Sequence, residues 1–220
     1  MIEDKMKTSI EFLKAAFKKY PGKKVIAFTG GKDSVLMLEL TMMAFGKIPC
    51  DVFYIDSGLD HEETVEFIEE ARKHWGFKLV KFVHKPTLKK FHASTDHSER
   101  GGLARELKIE TIKMVVKAGY DVMMVGIRWD EHESRSKEAY CVDWDDHSRI
   151  HPILHFKEKD VWKFIKKYKT PCNPLYKQGY RSLGEKEFTK KVRNPFASER
   201  SGRDPEKEKI MKRLRQLGYF

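Results

Sequence analysis

The chain of 220 residues carries 44 lysines and arginines against 33 aspartates and glutamates, a formal net charge of +11, with 40% hydrophobic and 12% aromatic residues. That apolar content excludes a disordered chain, and no apolar run reaches the roughly 18 residues that a membrane-spanning helix needs. The three cysteines, Cys50, Cys141 and Cys172, are widely separated and form no C-x-x-C pair, which argues against a disulfide framework, a structural zinc site or a cysteine-held iron–sulfur cluster.

Residues 1 to 20 place apolar side chains at helical spacing between charges and lack an uninterrupted apolar segment, so they predict an amphipathic helix rather than a signal peptide, and a cytoplasmic protein. Strands are predicted over residues 23–29, 51–56, 78–83 and 121–127, with helices near 33–46, 61–75 and 102–118 between them. Strict alternation of strand and helix implies a parallel, doubly wound sheet with right-handed crossovers, whose ligands sit at the carboxyl ends of the strands. Residues 84–101, ending in the polar and glycine-rich STDHSERGG, read as a long functional or mobile loop. RIHPILHF, residues 149–156, reads as a short strand and KEKDVWKFIKKY, residues 157–168, as a helix. Beyond residue 170, prolines and glycines break the pattern until a last helix at about 205–217. The expected organisation is an α/β nucleotide-binding domain over residues 1–169 and an irregular C-terminal arm with a final helix over 170–220 that packs back over the sheet.

The stretch VIAFTGGKDSVLMLEL, residues 25–40, carries the chemistry. A strand, a glycine turn and a helix form an anion cradle: Gly30 and Gly31 let successive N–H groups point inward, and the helix adds its positive end. Lys32 adds a charge and Ser34 a hydroxyl. Asp33, a carboxylate inside an anion nest, either caps the helix or helps to place a magnesium ion between phosphates. The spacing is neither G-x-x-x-x-G-K-[ST] nor G-x-G-x-x-G. The positive charge suits an acidic partner such as a nucleotide or a free oxyanion. No run concentrates the charge on one recognisable element, which disfavours nucleic acid as the partner.

TGGKDS resembles instead the S-G-G-K-D-S loop of the PP-loop ATP pyrophosphatases, with Thr29 for the usual serine. Three further stretches resemble the phosphoadenosine phosphosulfate (PAPS) reductase superfamily. DSGLDHEET, residues 56–64, is similar to its D-T-G-x-x-x-x-E-T segment. GIRWDEHESRSKE, residues 126–138, is similar to its arginine-rich motif, and SERSGRDPEKEKIMKRLRQLGYF, residues 198–220, resembles the carboxyl terminus of the small catalytic subunit of the two-subunit sulfate adenylyltransferase. The resemblance implies an adenine nucleotide alpha hydrolase-like fold and an enzyme of sulfate assimilation. Such an enzyme would use ATP and Mg2+, cleave between the α and β phosphates, and transfer AMP to sulfate or a related oxyanion to give adenylyl sulfate. Lys32 and the amides of Thr29, Gly30, Gly31, Asp33 and Ser34 would then hold the leaving pyrophosphate. Arg128, Arg135 and Lys137 would meet the α-phosphate and the acceptor. Asp56 and the backbone of Ile55 and Gly126 would meet the adenosine, with a helix cap as the other reading of Asp56. Arg128 and Arg135 have surface pairing with Asp130, Glu131 or Glu133 as their other reading, and Arg200 and Arg203 either fold back onto phosphates or stay solvated.

The reductases of the superfamily use a C-terminal cysteine, and this chain has none after Cys172. CNPLYKQGYRSLGEKEFT, residues 172–189, resembles their N-P-L-Y-x-x-G-Y-x-S-[IL]-G-C segment with Glu185 where they have cysteine, so a reductase-like protein binding adenylyl sulfate or PAPS is the second reading. A component of a nucleic-acid thiolation system using the same loop is the third, and it lacks the paired cysteines those enzymes carry. The resemblance also implies a regulatory GTPase subunit, although NPLY runs directly into GYRSLG without the long insertion expected there. The oligomeric state, a homo-oligomer included, stays open.

Overall fold

The computed structural model describes residues 1–194 and 196–205. Its element order is α1 (Ile2–Lys19), β1 (Lys24–Ala27), α2 (Lys32–Phe45), β2 (Asp51–Ile55), α3 (Glu62–Trp75), β3 (Leu79–Phe82), α4 (Lys85–Ala93), α5 (His97–Lys117), β4 (Val122–Met124), β5 (Cys141–Asp143), β6 (Ser148–Ile150) and α6 (Glu158–Tyr168). The sheet runs β3-β2-β1-β4-β6-β5, all parallel except the antiparallel β5–β6 pair at its edge. From β1 the chain turns outward to β2 and β3, then returns to β4 on the other side, so the strand order reverses between β1 and β4. In open α/β sheets that reversal opens the crevice where ligands bind.

Period-two burial assigns the two faces. Ile26, Val52, Tyr54, Val122 and Met124 face one core with α2, α3 and α6, while Val25, Phe53 and Met123 face a second with Val115 of α5. Almost every position of α2 from Val35 to Leu40 is buried, because α1 covers its outer side with Ile2, Met6, Leu13 and Ala16 at helical spacing.

Two expectations need correction. Residues 84–101 are not a loop: Pro86 stands in the first turn of α4, and Asp96 caps α5 by accepting from the Glu99 N–H at 2.7 Å. Gly101 lies inside α5, where a Cβ would stand 3.8 Å from the Phe188 ring of the arm, in ordinary contact. The strand expected over residues 149–156 stops at Ile150, since Pro152 has no N–H for a ladder, and the chain turns instead. Strand β5 had no counterpart among the expected strands; three residues carry no readable periodicity. The expected final helix at 205–217 and the terminal Gly-Tyr-Phe lie outside the described residues, apart from Pro205. No helix among the described residues is long and apolar enough to cross a membrane.

Candidate active site

Three motifs that are far apart in sequence meet at the turn after β1. Gly30 takes a positive φ of 70°, and a Cβ there would lie 3.2 Å from Thr64 Cγ2 and 3.6 Å from Asn173 Nδ2. Asn173 Nδ2 donates to Thr64 Oγ1 at 3.1 Å, and its Oδ1 accepts from the Leu175 N–H at 3.0 Å. The N–H of Lys32, at the open end of α2, donates to the Tyr176 hydroxyl at 2.9 Å. Thr64, Asn173 and Tyr176 thus brace the glycine turn from behind. Their motifs stand in the sequence but this bracing part is not legible there; the signal for it is polar residues at set positions inside otherwise structural segments.

Inside the loop, Ser34 Oγ donates to the Gly31 carbonyl at 2.8 Å, and Thr29 Oγ1 accepts the Gly31 N–H at 3.4 Å, so both hydroxyls shape the turn. The N-cap of α2 is Gly31, with no side-chain cap bond, so Asp33 is not a helix cap. Its carboxylate lies between cations instead, paired with Arg128 and with Lys32 Nζ at 3.3 Å. Gly126, where the chain leaves β4, packs directly on this turn: a Cβ there would lie 2.9 Å from the Asp33 carbonyl oxygen.

The cations are buried. Lys32 is 1% exposed and Arg128 0%. Surface pairing therefore does not describe Arg128, which binds Asp130 at 2.9 Å together with Asp33 and Glu199. Arg135, also buried, binds Glu131, whose other oxygen accepts from Arg200 at 2.7 Å. Burial opposes the charge on Lys32, but Asp33, Tyr176 and Glu199 outweigh it and hold the ammonium protonated well above its ordinary range. Burial likewise opposes ionisation of Glu131, and Arg135, Arg200 and Arg128 overcome it, holding its carboxyl below the usual range. For Glu199 the balance goes the other way, and burial raises its carboxyl despite Lys32 and Arg128.

Beside this cluster lies a cavity of about 270 Å³ at the switch point. Its wall on the α5 face of the sheet is apolar, with Phe53, Ile55, Leu107, Ile112 and Met123, and its mouth is lined by Thr29, Gly31, Asp33, Ser34, Arg135 and Arg200. Arg149, fully buried on β6, and Glu185, buried and paired with Lys108, also line it; neither was among the expected site residues. Two expected residues stand apart. Lys137 is exposed and does not line the cavity: it follows the single 3₁₀ turn Glu133–Arg135, where a step of two residues at three per turn points away from Arg135. Asp56 lies outside the lining as well, paired with Lys81 at 3.6 Å, while Ile55 and Ser57 on either side of it face the cavity. Nor does it cap a helix, since the N-cap of α3 is His61. Arg203 is half-buried: it lines the cavity and bonds Ser182 Oγ at 2.8 Å and the Leu183 carbonyl of the arm.

The sequence profile of the phosphoadenosine phosphosulfate reductase domain matches residues 23–191. Curated relatives include an uncharacterized protein of Methanocaldococcus jannaschii, 30% identical over an alignment of 206 residues that covers 84% of this chain and 40% of that one. The adenosine 5'-phosphosulfate reductase of Allochromatium vinosum is 28% identical, covering 73% of this chain and 65% of its own, and the sulfate adenylyltransferase subunit 2 of a Sulfurovum species is 29% identical, covering 89% and 73%. The chain therefore spans less than two thirds of the length of the first two. Among solved structures, a Candida auris phosphoadenylyl-sulfate reductase in a phosphate complex superposes with a TM-score of 0.68 at 18% identity, covering 87% of this chain and 96% of that one. The Candida glabrata FMN adenylyltransferase with FMN and the ATP analogue AMPCPP gives 0.65 at 22% identity, covering 88% and 66%. The fold is adenine nucleotide alpha hydrolase-like.

Proposed function

Because the chain belongs to the phosphoadenosine phosphosulfate reductase domain family, we propose that it is an ATP-using adenylyltransferase. In this reading it cleaves ATP between the α and β phosphates and places AMP on sulfate or a related oxyanion. The observation that carries the proposal is the convergence of Lys32, Arg128, Arg135 and Arg200 on the open end of α2, at the reversal of the sheet.

The reaction brings two mutually repelling anions together and releases a third. The amides at the start of α2 and the Lys32 ammonium suit departing pyrophosphate. Arg128 and Arg135 suit the charge that develops on the α-phosphate and on the acceptor, since a guanidinium binds oxyanions through two N–H groups at once. A sulfate nucleophile is already ionised, so alignment matters more than a general base. The apolar wall of Phe53, Ile55 and Met123 is fitted to a flat base. Asp33 is the carboxylate at the loop that would hold Mg2+ beside the substrate phosphates, and only by exchanging Lys32 and Arg128 for the ion, which would neutralise charge on the polyphosphate. Among the described residues no group of three or more His, Cys, Asp or Glu could hold a metal without such a ligand. A partner GTPase subunit and a cytoplasmic setting belong to the same proposal.

The reductase relative and the residue 172–189 segment favour a second reading, in which adenylyl sulfate or PAPS is the ligand. The chemistry of the thiols weighs against it. Burial pushes Cys172 up to about 11, so at neutral pH it is a thiol rather than an attacking thiolate, and Glu185 occupies the position of the reductases' cysteine. The test is pyrophosphate release from ATP and Mg2+ with sulfate, with molybdate and with no anion, each with and without a GTPase subunit, and with the nucleotide products analysed. Anion-stimulated pyrophosphate with AMP or adenylyl sulfate is expected. No pyrophosphate in any lane, together with sulfite from adenylyl sulfate and a thiol donor, would replace the first reading by the second.

A further inference from the structure

The proposed ATP site puts a polyphosphate on Lys32 and Arg128, and another anion already sits there. Glu199, carried by the arm, uses one carboxylate oxygen for Lys32 Nζ and the other for the Arg128 guanidinium. Its side chain is 8% exposed, so it is a buried ligand of both cations. The residue after it, Arg200, completes the set on Glu131. Among the described residues, Lys32, Arg128, Arg135 and Arg200 pair with Asp33, Asp130, Glu131 and Glu199. A polyphosphate arriving at Lys32 and Arg128 meets the Glu199 carboxylate already on them, in a poorly hydrated site where water screens the repulsion little, so binding both cations requires that carboxylate to leave.

Resting on the ATP reading above, we infer that Glu199 is an intramolecular stand-in for phosphate, and that a nucleotide polyphosphate binds by displacing residues 198–201 of the arm. Of the eight side chains in the cluster, those of Glu199 and Arg200 come from the arm; the other six belong to α2 or to the segment after β4. The arm is fastened on both sides of this stretch. Arg181 holds the Ala197 carbonyl, and beyond it the Lys190 N–H donates to the Gly202 carbonyl at 2.8 Å while Thr189 and Arg203 form an isolated bridge. Displacement is thereby confined to a short strap between two anchors. Ligand and strap compete for one pair of cations, so the apparent affinity is the intrinsic one reduced by the fraction of molecules with the strap open.

Glu199→Gln keeps the shape and removes the charge. In the absence of ligand the variant is expected to unfold at lower temperature than the wild type, because Lys32 and Arg128 lose a counter-charge. Its affinity for ATP with Mg2+ and for inorganic pyrophosphate should nevertheless rise, by about tenfold if the closed strap outweighs the open one by that ratio. A merely structural Glu199 gives the first effect without the second. In the wild type, hydrogen exchange at residues 198–201 should speed up when a non-hydrolysable ATP analogue binds, a readout that does not need the variant to fold. Equal or weaker binding by a folded Glu199→Gln, or slower exchange at 198–201 on binding, overturns the inference and leaves the ATP site standing. Failure of both wild type and variant to bind either ligand removes the site and the inference together.

Discussion

Lys32 illustrates how burial alters the consequence of a substitution. From sequence alone its side chain is expected to face a ligand, so that Lys32→Ala would spare the fold. It is instead 1% exposed and bound to Asp33 and Glu199. Removing one member of a buried ionic group leaves the rest uncompensated and costs about 3–5 kcal/mol. Lys32→Ala is therefore expected to lower stability by that order in denaturant titration and also to reduce pyrophosphate release, by roughly 10²–10³-fold as for other lost transition-state donors. Full stability would mean that Glu199 re-pairs elsewhere; unchanged turnover would move the chemistry to another site. Arg135→Lys tests the planar fork: it keeps the charge facing Glu131 but loses two-point binding, so the KM for the acceptor should rise more than the Kd for ATP. Equal effects on both would place Arg135 at the nucleotide alone.

The elements meet where the glycines allow. Gly126 brings the exit of β4 against the first turn of α2, and an added Cβ at 2.9 Å from the Asp33 carbonyl must push one of them away. Gly126→Ala should cost about 1–3 kcal/mol as overpacking and weaken ATP binding measured by calorimetry; wild-type affinity would separate the two functions of this contact. Asp96→Ala removes the cap of α5 and should cost about 1 kcal/mol in chemical denaturation, with no change in nucleotide affinity. The first four strands and the helices between them are legible in sequence because their period-two and period-3.6 patterns are long enough to count. The pattern misleads over 84–101, where the polar residues of a loop form α4 and the cap and first turn of α5, and it is silent over β5, whose three residues are a strand only by pairing with β6.

Over the whole molecule, acid should weaken the fold through His151. The ring is fully buried, with Nδ1 on the Ala139 carbonyl at 2.8 Å, and Nε2 has no hydrogen-bond partner among the described residues. Burial lowers it to about 4, with Arg149 and Arg135 adding to the effect and the Ala139 contact opposing it. A folded value below the unfolded one of about 6.5 means that the unfolded chain binds the proton first. Stability should therefore fall as the pH drops from about 6.5 towards 4 and level off below, by about 3 kcal/mol at most. Denaturation of wild type and His151→Gln at pH 7 and 5 checks this: the variant should change less, and equal slopes would reassign the acid sensitivity. By itself, the sequence determined the alternation of strands and helices, the glycine turn that ends β1, the absence of a cysteine from residues 173–220, and the family, because each of these is written in residues adjacent along the chain. Only the tertiary structure decided that Thr64, Asn173 and Tyr176 brace that turn, that Lys137 and Asp56 stand outside the cavity, and that Glu199 holds the cations a phosphate would need. Those relations depend on where distant segments are brought together and on which charges are buried, and a linear pattern contains neither.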